Sequence, residues 1–165
     1  MENFPNHAQR IQKNHASVVK LWERFVEAHP EYPVKTLPDV FYFSDNQTDA
    51  DELAELVVQG VKQATATSLW WFETQNEKLP KPGDPHVVID WNGNAKAVIE
   101  TTKIELVPFK NVSEAFAHTE GEGDKSLAYW RRVHMLYYTN EMKPYGETFH
   151  EDMVIVCEYF KTIYT

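Results

Sequence analysis

Lys62 and Thr65 lie three residues apart in the run Gly60-Val61-Lys62-Gln63-Ala64-Thr65, and further along the chain reads His118-Thr119-Glu120-Gly121-Glu122-Gly123-Asp124. A lysine, a hydroxyl and a carboxylate are the parts of an activated nucleophile, in which a base takes the proton and the hydroxyl attacks an electrophilic carbon. An amine serves as that base near neutral pH only where burial or a nearby cation depresses its pKa. Three-residue spacing joins Lys62 and Thr65 on a helix and parts them on a regular strand, so their cooperation requires an irregular backbone after Gly60. The plain alternative is a solvated lysine followed by a strand threonine. In the acidic segment, His118, Glu120, Glu122 and Asp124 take alternate positions, which an extended backbone would turn to one side. Their oxygens suit Mg²⁺, Mn²⁺ or Ca²⁺, yet the spacing matches no calcium loop, and a solvated acidic loop is the commoner meaning of such a run. Gly121 and Gly123 permit positive φ or a close backbone approach to a ligand. Trp70, Trp71, Phe72, Trp91 and Trp130 offer faces for base stacking, a contact worth about 1–3 kcal/mol per base, although most aromatics serve the core. The histidines show no metal spacing, and there is no phosphate-binding glycine loop or serine elbow. NTP, dinucleotide and zinc chemistry are disfavoured.

A small set of elements must position these groups. Ile11, Val18, Leu21, Trp22, Phe25 and Val26 recur at helical spacing and predict one amphipathic helix over about residues 8–28, stopped by Pro30 and Pro33. Val40-Phe41-Tyr42-Phe43 reads as a short strand. Thr48 and Asp49 ahead of Asp51 and Glu52 open a second helix that turns Leu53, Leu56 and Val57 inward and stops at Gly60. Val61, Thr65 and Thr67 then lead into Leu69-Trp70-Trp71-Phe72, which reads as more strand. After a loop with Pro80, Pro82, Gly83 and Pro85, Asn92-Gly93 predicts a hairpin between Val87-Val88-Ile89 and Ala97-Val98-Ile99. Strand character resumes from Lys103 to Val107. Leu127, Trp130, Val133 and His134 share one face of a helix over about residues 125–138, and Met153 to Phe160 supplies a last strand. Strands gather mid-chain instead of alternating with helices, which predicts an α+β fold with a strongly bent sheet or small barrel.

Composition narrows the function. A chain of 165 residues buries a full core as one domain without disulfides or a structural metal. Its net charge of −9 opposes the broad basic face needed for long nucleic acid. Lys78, Lys81, Lys103, Lys110, Arg131 and Arg132 are the candidates for a local basic patch. Cys157, the single cysteine, sits in an apolar run and reads as a small core hydrophobe. The start of the sequence lacks the apolar stretch of a signal peptide, and no run approaches a membrane span, so a soluble cytoplasmic protein without membrane partners is expected.

From about residue 41 to 160 the chain resembles the ASCH (activating signal cointegrator homology) domains, relatives of the PUA-like RNA-binding fold. The resemblance rests on GxKxxT from Gly60 to Thr65, on Leu79-Pro80 with Gly83-Asp84, and on Glu120-Gly121-Glu122-Gly123-Asp124 followed by Ser126-Leu127 and Tyr129-Trp130-Arg131. The last segment is similar to a larger bacterial subgroup long described only as of unknown function. The resemblance implies a PUA-like domain over residues 36–165, a small β-barrel with helices around it, preceded by an N-terminal helical extension over residues 1–35. It also implies a cleft for RNA or a modified nucleoside. In small bacterial members a lysine, a threonine and a glutamate are assigned to hydrolysis of the N4-acetyl amide of acetylcytidine. By that likeness Lys62 is the base, Thr65 the nucleophile and Glu122 the assisting carboxylate, with Glu120 the competing choice. Gly60, Trp70, Trp71, Glu120, Ser126, Tyr129 and Arg131 are the implied substrate contacts. Other members resembling the longer subgroup are linked to divalent-metal-dependent cleavage of single-stranded RNA. That alternative would place a metal at the acidic segment, whereas the amidohydrolase reading needs no cofactor. Thr67 stands where small members carry an arginine, and the N-terminal helix and the insert around residues 125–145 set this chain apart from them.

Three readings follow: an amidohydrolase acting on a modified nucleoside, a binder or nuclease of short single-stranded RNA, and a non-catalytic sensor of a nucleotide-like ligand. Salt separates the first two, because only phosphate contacts make binding fall steeply with ionic strength.

Overall fold

The computed structural model describes residues 15–165. Helix α1 spans Ala16–Ala28, and the residues 8–14 expected to begin it, with Ile11, lie outside the described part. Strand β1 (Asp39–Phe41) follows, then helix α2 (Gln47–Val58). Asn46 caps α2 by accepting the Asp49 N–H at 3.0 Å, so the helix opens just before the expected Thr48 and Asp49.

Strand β2 (Ala64–Ser68) is shorter than the sequence predicts, because Leu69–Gln75 forms helix α3. Ser68 makes the switch: its hydroxyl accepts the Trp71 N–H at 3.1 Å, an N-cap bond that ends the strand and starts the helix. The β-branched signal of Thr65 and Thr67 ends there, and the bulky run Leu69-Trp70-Trp71-Phe72 belongs to the helix. The Asn92-Gly93 hairpin joins β3 (Pro85–Ile89) to β4, which runs unbroken over Ala95–Pro108 and merges two segments that the sequence reads separately. Register shifts at Val98/Ile99 and Thr101/Lys103 let this long strand bend. Helices α4 (Glu114–Glu120) and α5 (Leu127–Met142) precede the last strand, β5 (Val154–Tyr164).

The five strands form one sheet in the order β1-β3-β4-β5-β2, with β1 parallel to β3 and the other pairs antiparallel. In a flat sheet the edge strands β1 and β2 would stand about 19 Å apart, four strand spacings. Phe41 and Phe43 from one side and Thr65 and Thr67 from the other nevertheless wall the same cavity. The sheet is therefore curled into a half-barrel, an α+β architecture with the N-terminal helix packed on its outside.

Alternation along the strands divides the core into three. Outside, α1 lays Val18, Trp22 and Phe25 on Val40, Val87, Ile89 and Val98. Also outside, at the other end, Phe116 of α4 and Trp130 and Tyr138 of α5 cover Ala64, Ala66, Ile155 and Cys157. Inside the curl, Ala54 and Val57 of α2 pack on Val88, Ala97, Ile99 and Phe160. Cys157 is buried, and that burial pushes its thiol up to about 12, which makes it the core hydrophobe expected. Among the described residues no helix is long and apolar enough to cross a membrane.

Phe25 is 1% exposed, so Phe25→Ala should lower unfolding stability by about 3–5 kcal/mol in urea titration, while Leu136→Ala, at a position 63% exposed, should stay within about 0.5 kcal/mol of wild type.

Candidate functional site

The site begins where α2 ends. Gly60 takes φ +70°, and the N–H groups of Val61 and Lys62 both return to the Leu56 carbonyl, at 2.9 and 3.1 Å. This tight reversal is the irregular backbone that the Lys62–Thr65 spacing required, and it drives the Lys62 side chain into the interior, where it is fully buried. Its Nζ donates to the Ala64 carbonyl at 2.8 Å and to Glu122 Oε1 at 2.6 Å, and lies 3.4 Å from Glu120 Oε1. The ammonium also sits over the Phe43 ring, 4.8 Å from its centre.

The acidic segment is not extended, contrary to the alternate-position expectation. His118 and Glu120 belong to α4, with His118 exposed and Glu120 buried. Glu122 joins Glu120 through a left-handed turn at Gly121, φ +77°. A Cβ there would lie 2.5 Å from the Val61 carbonyl oxygen, so only glycine lets the helix end approach the chain beside Lys62 this closely. The Gln63 N–H donates to the Thr119 carbonyl at 3.0 Å and closes the seam. Asp124 turns away and accepts the Ser126 N–H at 2.9 Å.

Helix α5 completes the cluster. The Trp130 indole N–H donates to Glu120 Oε2, and His134, one turn on, stacks on the indole at 4.2 Å between ring centres. His134 Nδ1 faces the Trp130 carbonyl at 2.8 Å and Nε2 faces Glu120 Oε1 at 3.2 Å. Both partners are acceptors, a pairing that the protonated ring satisfies with one N–H at each nitrogen. Burial alone would lower the His134 pKa, but the Glu120 carboxylate outweighs it and raises it. Burial likewise opposes ionisation of Glu120, yet His134 and Lys62 hold its carboxyl down at about 2. Burial acts to lower the Lys62 pKa, and Glu122 and Glu120 overcome it and raise it. Lys62 at rest therefore holds a proton it can donate, and is not the depressed-pKa amine that a resting base would require.

A divalent ion fits this cluster poorly. Donor atoms of Glu120, Glu122 and His134 lie within 4.8 Å of one another, a separation that coordination could exploit. The Lys62 ammonium already pairs with Glu120 Oε1 and Glu122 Oε1, and both His134 nitrogens already face acceptors. A metal would have to displace a fixed cation that the fold supplies itself.

Two cavities adjoin at Phe43 and Thr65, and the smaller of them reaches this cluster. The smaller, about 90 Å³, is lined by Thr65, Glu120, Glu122, Tyr129 and His134, and the larger, about 450 Å³, opens between the two sheet edges. Thr65 and Phe43 wall both. Of the residues suggested by the sequence, Thr65, Glu120, Glu122 and Tyr129 thus share the small cavity beside Lys62, and Trp71 walls the large one. The others serve elsewhere. Gly60 shapes the turn, Trp70 packs edge-on against Tyr145, Ser126 caps α5, and Arg131 donates to the Lys110 carbonyl. His134, Phe43 and Glu158 also line these cavities, and the sequence does not single them out. Only His134 left a trace, as a polar residue four positions from Trp130 on the apolar face of its helix.

Comparison with known proteins places the chain in a family and supports its fold. The ASCH domain profile matches residues 39–164, and the chain belongs to that family. It is similar to the crystal structure of an ASCH domain from Lactobacillus crispatus JV V101, at 32% identity and a TM-score of 0.87, over 94% of this chain and 99% of that one. It is also similar to the DUF984 protein EF3133 of Enterococcus faecalis V583, at 35% identity and a TM-score of 0.82, over 90% of this chain and 88% of that one. No curated protein matches the sequence.

The buried pair has a pH signature. Glu120, with its pKa depressed, contributes stability that is present above the ordinary value of 4.5 and lost as pH falls through about 2. His134, with its pKa raised, contributes stability that is complete below 6.5 and lost as pH rises through its folded value. The pair's contribution is therefore greatest between pH 4.5 and 6.5. NMR titration should place His134 above 6.5 in the wild type and lower in Glu120→Gln, and unfolding measured against pH should lose much of its alkaline decline in that variant.

Proposed function

We propose that the cleft binds a modified nucleoside and hydrolyses an amide on its base. The observation that carries this reading is the placement of Thr65 and Glu122 on one small cavity, with Glu122 gripping a buried lysine ammonium. In the proposed reaction, Thr65 Oγ attacks the acyl carbon as its proton passes to Glu122, and Lys62 stabilises the charge that develops on the carbonyl oxygen. The C–N bond breaks as Glu122 returns the proton to the departing amine nitrogen. Water then cleaves the acyl–threonine ester, releasing a carboxylic acid and restoring the hydroxyl. Lys62 thus acts as a charged donor, the state in which its two carboxylates hold it. N4-acylated cytidine has the required amide on a planar base.

Electrostatics support an uncharged ligand over a long RNA. Of the candidate basic residues, Lys103 pairs with Glu105 at 2.7 Å, Lys110 pairs with Asp152 at 2.5 Å, and Arg132 lies over the Tyr129 ring. A second reading, binding of single-stranded RNA, draws on Trp71 and Phe72 in the wall of the large cavity, where one base of a strand can stack.

Thr65→Val keeps the shape and strand preference of a half-buried residue and removes the hydroxyl. It should lower turnover of N4-acetylcytidine at least about 100-fold with an unchanged circular dichroism spectrum. Full turnover by Thr65→Val would rule out the threonine as nucleophile. Wild-type cleavage of a short single-stranded RNA, stimulated by Mn²⁺, would favour the nuclease instead.

A further inference from the structure

The larger cavity has its own chemistry, apart from the Lys62 cluster. It lies on the inner face of the curled sheet, where Thr65 of β2 and Glu158 of β5 are directly opposed in register. Opposed residues on antiparallel strands project to the same face with Cα atoms about 4.5–5.5 Å apart. Glu158 is therefore the carboxyl nearest along the sheet to the proposed nucleophile. The buried Thr101 of β4 donates its hydroxyl to Glu158 Oε1 at 2.5 Å, which fixes the carboxyl and leaves Oε2 and the second lone pair of Oε1 for a ligand. Phe41, Trp71 and Phe72 supply flat apolar wall around it.

We propose that this cavity binds a flat, uncharged nitrogen heterocycle, and that the Glu158 carboxyl reads an edge of that ring carrying an acceptor nitrogen next to an N–H group. This extends the nucleoside reading given above by assigning the base to the large cavity and any acyl substituent to the small one, with Thr65 on the wall between them. A protonated carboxyl matches such an edge with two hydrogen bonds, its O–H to the ring nitrogen and its carbonyl oxygen to the exocyclic N–H.

The surroundings favour the protonated form. Burial, with help from the Asp84 charge, pushes the Glu158 carboxyl up to about 7 against the opposing Thr101 hydrogen bond. The other charged or titratable groups on this cavity are Asp39, Tyr42, Glu77, Lys78, Asp84 and His86; burial lowers the His86 pKa and raises that of Tyr42. Three carboxylates against one lysine make an acidic wall that repels phosphate. The ligand is thus a free base or nucleoside in preference to a nucleotide.

The test is binding by isothermal titration of cytosine, cytidine, N4-acetylcytidine and cytidine 5′-monophosphate to the full chain at pH 6, 7 and 8. Wild type should bind the uncharged ligands, lose about tenfold in affinity between pH 6 and pH 8 as Glu158 ionises, and bind the monophosphate at least tenfold more weakly than cytidine. Glu158→Gln keeps one donor and one acceptor without a charge, and its affinity should be nearly independent of pH. Glu158→Leu should lose at least tenfold at pH 6. Failure of wild type to bind any of the uncharged ligands would overturn the proposal, as would tighter binding of the monophosphate or a pH dependence that Glu158→Gln retains. Binding with this Glu158 signature but no turnover would remove the hydrolytic reading and leave the site standing. Thr65-dependent turnover that is indifferent to Glu158 would do the reverse.

Discussion

A lysine ammonium with no exposure to solvent is the constraint on which the site depends. Removing such a charge from water costs several kcal/mol even after the protein relaxes, so it persists only where carboxylates and hydrogen bonds surround it. Glu120, Glu122 and the Ala64 carbonyl meet that need, and each comes from a different local structure: a helix end, a glycine turn and the start of a strand. Two carboxylates beside one ammonium leave a negative charge over, and the His134 imidazolium neutralises it. The four groups form a balanced buried quartet that ties α4, α5 and the entry to β2 together. Removing one member leaves the others unpaired, so the cluster specifies a single arrangement more than it adds net stability.

The fold answers this constraint with short, well-terminated elements. Ser68, Ser113 and Ser126 each cap a helix by accepting the N–H of the residue three positions on, Trp71, Phe116 and Tyr129, and Gly121 stops α4 where the backbone meets Val61. Curling the sheet brings its two edges onto one cavity instead of leaving them as open templates for pairing with other chains. It also divides the interior, with α2 filling one end of the concave face and the other end left open as the larger cavity. Thr65 stands at the division. Its alternation along β2 turns it towards the concave face, while Ala64 and Ala66 on either side pack beneath α5.

The likeness to two bacterial structures extends beyond the family-defining segment to nearly the whole chain. Helix α1 precedes the family segment at residues 39–164, yet it packs on the sheet through the buried Val18, Trp22 and Phe25. It covers the outer face of β3 and β4, which would otherwise expose a continuous apolar surface.

Local signals alone determined several parts of this protein: helix α1 from its apolar period, the Asn92-Gly93 hairpin, the stop at Gly60, the GxKxxT run and the glycine-broken acidic segment. Each depends on backbone preferences that act within a few residues. The α3 helix was hidden because Leu69-Trp70-Trp71-Phe72 suits a strand by propensity, and the decision fell to one side-chain cap at Ser68. Alternation in the acidic segment imitates a strand, whereas the left-handed turn at Gly121 ends a helix between its two glutamates. Tertiary structure alone decided the charge states. Whether Lys62 is a base or an ammonium depends on carboxylates about sixty positions away in sequence, and whether Glu158 is ionised depends first on its burial in the curled sheet, opposed by the Thr101 hydrogen bond. Electrostatic energy follows distance in space, and the sequence records only distance along the chain.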